Sequence, residues 1–195
     1  SNKSHFFLNS SNKINLSYFE ESVLDINLEQ VTNDTYLKTY NIKSPIINSS
    51  DLLETSIKIG ATKENLSLDL NLEVYENLSV KKKSDRFEYI FPNYNLIKIF
   101  EGNNQSNGTY SLSSSGHAKN YDTNITEKII INDLYFRSHQ VFNNNGIKSN
   151  YNFLIKNINT DAMNSLKYES KPNHDVKSLI EYNSTYPLEK KIGKY

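Results

Sequence analysis

The feature that most constrains the fold is a strict alternation of apolar and polar residues between Asn65 and Val74. Leucine or valine occupies every second position, and asparagine, serine, aspartate or glutamate occupies the positions between them. Successive side chains of a β-strand point to opposite faces, so as a strand this stretch has one apolar face and one polar face. On a helix the same leucines would scatter around the axis and form no coherent face. The pattern therefore predicts a strand.

The same period-two pattern recurs along the chain and predicts about eight or nine strands. Its other instances are Leu24–Glu29, Leu53–Ile59, Phe87–Phe91, Tyr110–Leu112, Ile129–Phe136, Tyr151–Lys156 and, more weakly, Val176–Tyr186. Turn-like residues separate them at Thr32–Asp34, Ala61–Lys63, Gly102–Gly108, Asn143–Gly146 and Lys171–Asn173. Pro92 is expected to interrupt its strand, and a short helical turn is expected only after Thr160. Residues 1–195 are thus interpreted as a single region, an all-β antiparallel up-and-down meander.

The composition excludes several classes of protein. Hydrophobic residues make up only 36% of the 195 residues, but 14 Tyr and 9 Phe argue against disorder of the whole chain. Because 22 Lys and Arg balance 22 Asp and Glu, no broad positive charge points to nucleic acid as a partner. The absence of Cys excludes disulfides, thiol chemistry and Cys-based metal sites. No apolar run is long enough for a transmembrane helix, and no signal peptide is visible.

No motif in the sequence indicates an enzyme. The four histidines, His5, His117, His139 and His174, are scattered, and Ser113–His117 lacks the glycine pattern of a nucleophile elbow. Two carboxylate pairs, Glu20 with Glu21 and Asp85 with Glu88, are interpreted as solvated groups rather than as acid–base partners. The basic run Lys81–Lys83 fits a solvated loop or, alternatively, contact with lipid phosphates. We expect no catalytic, cofactor-binding or metal-binding residues.

Alternation alone leaves two all-β proteins open. One is a secreted or cell-surface soluble β-sandwich, a binding or adhesion module whose apolar face forms the core. The other is an outer-membrane barrel whose apolar face contacts lipid and whose polar face lines the lumen. A strand of this length tilted by about 45° spans roughly 23 Å, close to the ~25 Å apolar band of such barrels. In the barrel, the lipid-facing candidates are Leu66, Leu68, Leu70, Leu72 and Val74, and the lumen-facing candidates are Asn65, Ser67, Asp69, Asn71 and Glu73.

Several short stretches resemble those of the LPS-assembly outer-membrane protein family (LptD/OstA), in order and at plausible spacing. They extend over roughly residues 22–190 and are Asn33–Lys38, Val74–Leu78, Asp85–Tyr94, Asp122–Asn124, Asn132–Leu134, Asn150–Asn157 and Glu181–Leu188. Members of that family have a periplasmic jelly-roll domain followed by a very large transmembrane barrel. The resemblance is to the barrel, so it implies that the chain is an open arc of a larger transmembrane β-barrel and a fragment of a longer chain.

The resemblance also implies a function, which is to insert lipopolysaccharide into the outer leaflet of the Gram-negative outer membrane. The reaction is transport and needs no cofactor. The implied partners are lipopolysaccharide, the lipid of the outer membrane, a plug lipoprotein inside the barrel and the periplasmic bridge proteins of the transport machinery. The chain departs from the family in having neither Cys nor Trp.

Overall fold

The computed structural model describes residues 4–42, 46–103 and 107–187, and almost all of this part is β-strand. A five-residue helix, α1, spans Tyr36–Tyr40, and one turn of 3-10 helix spans Lys83–Asp85. The strands are β1 (His5–Lys13), β2 (Glu21–Val31), β3 (Leu52–Lys63), β4 (Leu66–Asn77), β5 (Phe87–Glu101), β6 (Gly108–Tyr121), β7 (Ile125–Ser138), β8 (Val141–Phe142), β9 (Lys148–Met163) and β10 (Asn173–Thr185).

All ten strands of the described part belong to one antiparallel sheet that does not close on itself. The order is β1-β2-β3-β4-β5-β6-β7-β9-β10, and the two-residue β8 pairs beside the start of β9. Each long strand thus lies next to its predecessor in the chain, which is an up-and-down meander. The predicted all-β meander is confirmed, with nine long strands, and the open sheet fits an arc of a β-barrel.

Three local predictions were wrong. Pro92 does not end its strand. It lies where β5 shifts register against both β4 and β6, so its missing N–H breaks no ladder hydrogen bond. The short helix is α1 and not the segment after Thr160, which continues β9 to Met163. Ala61–Lys63 lie inside β3, and the turn consists of Glu64 and Asn65.

The other predicted turns separate strands as expected. Part of one of them, Gly102–Gly108, and the end of the stretch Glu181–Leu188 lie outside the described residues. Strand β1 was not predicted, because His5–Lys13 lacks regular alternation.

We name the two ends of the sheet by what they carry. The helix end carries α1, and the turn end, at the opposite side, carries the β3–β4 turn. At the helix end β2 and β3 stop pairing after Asn27 and Ser56. The carboxylate of Glu29 replaces the ladder there and accepts the backbone N–H of Glu54 at 2.8 Å. Leu37 of α1 packs with Leu53 and Leu78 into a small buried cluster. No helix among the described residues is long and apolar enough to cross a membrane.

Candidate functional site: the two faces of the sheet

Strand pairing assigns the residues of β4 to two faces of the sheet, because directly paired residues lie on the same face. Leu68, Leu70 and Leu72 pair with Ala61, Ile59 and Ile57 of β3 on what we name the apolar face, to which Leu66 and Val74 also belong. Ser67, Asp69, Asn71 and Glu73 lie on the opposite, polar face. The remaining predicted residue, Asn65, lies in the turn and accepts a hydrogen bond from Lys98 at 2.7 Å.

Several side chains on each face have the opposite exposure from that expected in a soluble sandwich. On the apolar face, Ile57, Leu70, Leu72, Leu112 and Ile130 are each between 36% and 45% exposed. All described strands belong to the one sheet, so no second described sheet packs against these side chains. Three glutamates on the polar face, Glu29, Glu73 and Glu127, are by contrast buried. These three carboxylates of the polar face are therefore sheltered, whereas several large side chains of the apolar face are exposed.

The carboxylates of the polar face have partners on their own strand and on neighbouring segments. The ammonium of Lys58 lies 2.7 Å from a Glu54 carboxylate oxygen and 3.6 Å from one of Glu73. The hydroxyl of Ser56, which is also buried, donates to Glu54 at 2.9 Å. Glu127 accepts hydrogen bonds from Tyr121 and Ser165. Such pairing offsets much of the cost of removing these charges from bulk water.

A hollow of about 380 Å³ opens in the polar face around Gly60. An added Cβ at Gly60 would have its nearest contact, a carboxylate oxygen of Asp69, at 3.5 Å. Most of its lining residues carry carboxylate or amide groups, namely Asp25, Asp69, Asn71, Asn93 and Asn95, and Lys58, Ile59 and Tyr94 line it as well. It is the kind of surface that water or a hydroxyl-rich ligand solvates well.

One row of directly paired residues crosses all nine long strands on the apolar face. It runs through Asn12, Leu24, Ile59, Leu70, Tyr94, Gly116, Ile130, Asn159 and His174. The middle of the row is mostly apolar, and its two ends are polar. On β1 the apolar residue Leu8 lies toward the helix end of this row, whereas on β10 Ile180 lies toward the turn end. The apolar band therefore crosses the strands diagonally.

The slope of this band can be estimated from the pairing. Leu8 and Ile180 lie on opposite sides of this row, and their displacements from it together amount to about ten residues, or roughly 33 Å along the strands. Eight steps between strands of about 4.8 Å each span about 38 Å across the sheet. The strands are consequently inclined by about 40° to the normal of the band, and strands of transmembrane barrels tilt by about 35–45°.

A row of aromatic rings lies on the apolar face near the turn end. The ring centroids of Phe100 and Tyr110 are 5.2 Å apart, those of Tyr110 and Phe136 are 4.6 Å apart, and those of Phe136 and Tyr151 are 5.7 Å apart. Tyr182 pairs with Tyr151 and extends the row to β10. Aromatic residues near the strand ends of the lipid-facing side are typical of membrane barrels.

A ladder of polar side chains crosses the apolar face between Ile130 and Leu134 of β7. Ser114 donates to Asn132 at 2.7 Å, Asn132 donates to Asn157 at 3.3 Å, and Asn159 donates to Asn157 at 2.5 Å. The ring of His174 lies 2.7 Å from the side-chain oxygen of Asn159. The ladder joins β6, β7, β9 and β10, and no sequence pattern pointed to it, because its members meet only through strand register.

The residues weighed as catalytic candidates are not brought together. Asp85 binds Thr123 and Lys82, whereas Glu88 forms an ion pair of 2.8 Å with Lys119. Ser113–His117 lies within β6 as ordinary strand. Among residues 4–42, 46–103 and 107–187, no group of three or more His, Cys, Asp or Glu side chains could hold a metal ion.

Comparison with known proteins adds no relative, because no protein-family model and no curated protein matches this sequence.

Proposed function

We propose that this chain is an arc of a transmembrane β-barrel in the outer membrane of a Gram-negative bacterium. Its apolar face contacts lipid and its polar face lines a hydrated lumen. The observation that carries the proposal is the diagonal apolar band, whose inclination of about 40° matches the strand tilt of such barrels. The aromatic row on the apolar face near the turn end and the exposed apolar side chains of that face also support it.

Within that membrane, the function we propose is lipopolysaccharide assembly. The support is the resemblance of short stretches such as Asp85–Tyr94 to the family that inserts lipopolysaccharide into the outer leaflet. A hydrated polar face with carboxylate and amide groups is chemically suited to a glycan, and an apolar face is suited to acyl chains. The proposed partners are lipopolysaccharide, a plug lipoprotein and the periplasmic bridge proteins.

A soluble binding or adhesion module is the second candidate, and one observation favours it. Leu37, Leu53 and Leu78 form a small buried cluster of the kind found in a soluble domain. That cluster occupies only the helix end, and apolar side chains such as Leu72 and Ile130 on the rest of the face stay exposed. A soluble domain would need to cover them.

The barrel proposal is tested by depth measurements on spin labels. Because the sequence has no Cys, a single introduced Cys gives one label at a known site. Labels at Leu8, Leu70 and Ile180 should all be deep in lipid, accessible to oxygen and shielded from a water-soluble nickel chelate. Labels at Asn12 and His174, which belong to the same paired row as Leu70, should be accessible to the chelate. Shielding of Leu70 from both reagents would indicate a protein core and contradict the proposal.

The assembly role needs a separate test in the bacterium. Depletion of the protein should stop newly made lipopolysaccharide from reaching the cell surface, as measured by surface labelling. Unchanged surface lipopolysaccharide would contradict the assembly role and leave the barrel standing. Recovery of the protein in the soluble fraction after cell lysis would contradict both.

A further inference from the structure

The last strand of the sheet, β10, presents a long free edge. Among the described residues it pairs with β9 alone. Its apolar side chains are the most exposed group in the sheet, with Val176 at 69%, Leu179 at 59% and Ile180 at 75%. A 13-residue edge with unpaired backbone groups and exposed apolar side chains is a template for strand addition.

The direction of the strands decides what can bind there. All neighbours along the nine-strand path are antiparallel, so β1 and β10 run in the same direction. Pairing β10 with β1, of the same copy or of another copy, would therefore give a parallel junction. A fully antiparallel barrel has an even number of strands, so closing this one requires an odd number of additional strands.

Charge on the polar face specifies the strand further. Lys177 of β10 pairs directly with Lys156 of β9. Lys156 forms an ion pair of 2.7 Å with Asp133 on its other side, but no carboxylate of the described residues lies within ion-pair distance of Lys177. Like charges opposite each other destabilise a sheet, and a carboxylate on the free side of Lys177 would offset this repulsion.

We propose that the free edge of β10 binds an additional transmembrane strand that runs antiparallel to it and carries a carboxylate opposite Lys177. Its apolar residues lie opposite Ile180 and Tyr182 or further toward the turn end, because the apolar band moves by about one residue per strand in that direction. This strand is the first of an odd number that complete the barrel. The inference rests on the proposed barrel but not on lipopolysaccharide.

The test uses synthetic 13-residue peptides that alternate apolar and polar residues, with one Glu placed opposite Lys177 in the antiparallel register. The full chain, carrying Ser184→Cys, is placed in lipid vesicles with a peptide bearing Cys at its N-terminus or at its C-terminus. Because the N-terminus of an antiparallel strand lies beside the C-terminal end of β10, the N-terminal Cys should form the disulfide at least about tenfold faster.

Charge exchange supplies the matched control. Lys177→Glu should reduce cross-linking of the Glu peptide about tenfold and should restore it for a peptide with Lys at the same place. Lys13→Glu, on β1, should leave cross-linking unchanged. Equal rates for both peptide ends, loss of the dependence on residue 177, or disulfide-linked dimers of Leu179→Cys chains without peptide would overturn the proposal. These readouts report strand addition and not label depth, so failure here is distinguishable from failure of the barrel proposal.

Discussion

Asp85 ties two loops together at the helix end of the sheet. Its carboxylate accepts hydrogen bonds from the hydroxyl of Thr123, in the β6–β7 turn, and from the ammonium of Lys82 at 2.9 Å. These bonds, with a further one from Ser84, lower the pKa of Asp85 to about 2. Lys82 is thereby engaged within the protein, so of the basic run Lys81–Lys83 it is the residue least suited to bind a lipid phosphate.

The tie between these loops should depend on pH in a defined direction. Because the folded pKa of Asp85 lies below its ordinary value of 3.8, the stabilisation is present above about pH 4 and is lost as the pH falls through about 2. Thr123→Val removes the strongest partner and should move the pKa of Asp85 up toward 3.8, as followed by NMR of the carboxyl carbon. The control Thr126→Val, on the adjacent strand, should leave it unchanged. An unshifted titration in Thr123→Val would show that Thr123 does not set the pKa.

Two glycines on β-strands respond differently to an added methyl group. At Gly116 a Cβ would lie 2.3 Å from the backbone oxygen of Ile129 and 3.0 Å from the ring of Tyr94. We expect Gly116→Ala to lower the free energy of unfolding by about 1–3 kcal/mol through overpacking. The Cβ of Gly60→Ala would contact only Asp69, at ordinary distance, so this variant should change the free energy of unfolding by less than about 0.5 kcal/mol. Urea unfolding in vesicles measures both, and equal losses would refute this explanation.

At the scale of the elements, the alternation of side chains predicted most strands but not irregularities such as the register shift at Pro92 or the non-alternating strand β1. Asn65–Val74 alternates so strictly that the strand and its two faces followed from the sequence. Pro92 was expected to interrupt β5, but the strand continues through it, because both neighbouring strands shift register beside it, which the sequence does not show. Strand β1 escaped prediction because its sequence, with adjacent Phe6 and Phe7 followed by the polar run Ser10–Lys13, does not alternate.

The divergence of β2 from β3 gives a test at this scale. Glu29 is buried and its carboxylate accepts the backbone N–H of Glu54, which would otherwise lose its ladder partner. Glu29→Ala should lower the free energy of unfolding by about 1–3 kcal/mol, because that N–H is then left unsatisfied. The control is Gln30→Ala, an exposed neighbour whose loss should have little effect. If both variants unfold at the same urea concentration as the parent, Glu29 does not replace the ladder.

For the whole molecule, the informative property is the relation between strands, which a linear sequence does not contain. The faces of β4 could be assigned from ten residues, but the diagonal of the apolar band could not. It depends on register across nine strands, from Asn12 to His174. The polar ladder through Asn132 and Asn157 has the same origin, and it explains why asparagine on β7 and β9 does not follow the alternation.

The last prediction concerns the solvent in which the whole sheet is stable. Without detergent or lipid, the exposed apolar face should drive association, whereas in vesicles the chain should show β-sheet circular dichroism and protection from protease. Leu70 lies near the middle of the band, so Leu70→Arg should disfavour insertion by about 2–4 kcal/mol. Asn71→Arg, one residue away on the polar face, should insert like the parent, because its charge meets the lumen. A monomer that melts cooperatively in detergent-free buffer would instead identify a soluble domain, in which Leu70 is covered by protein and not by lipid.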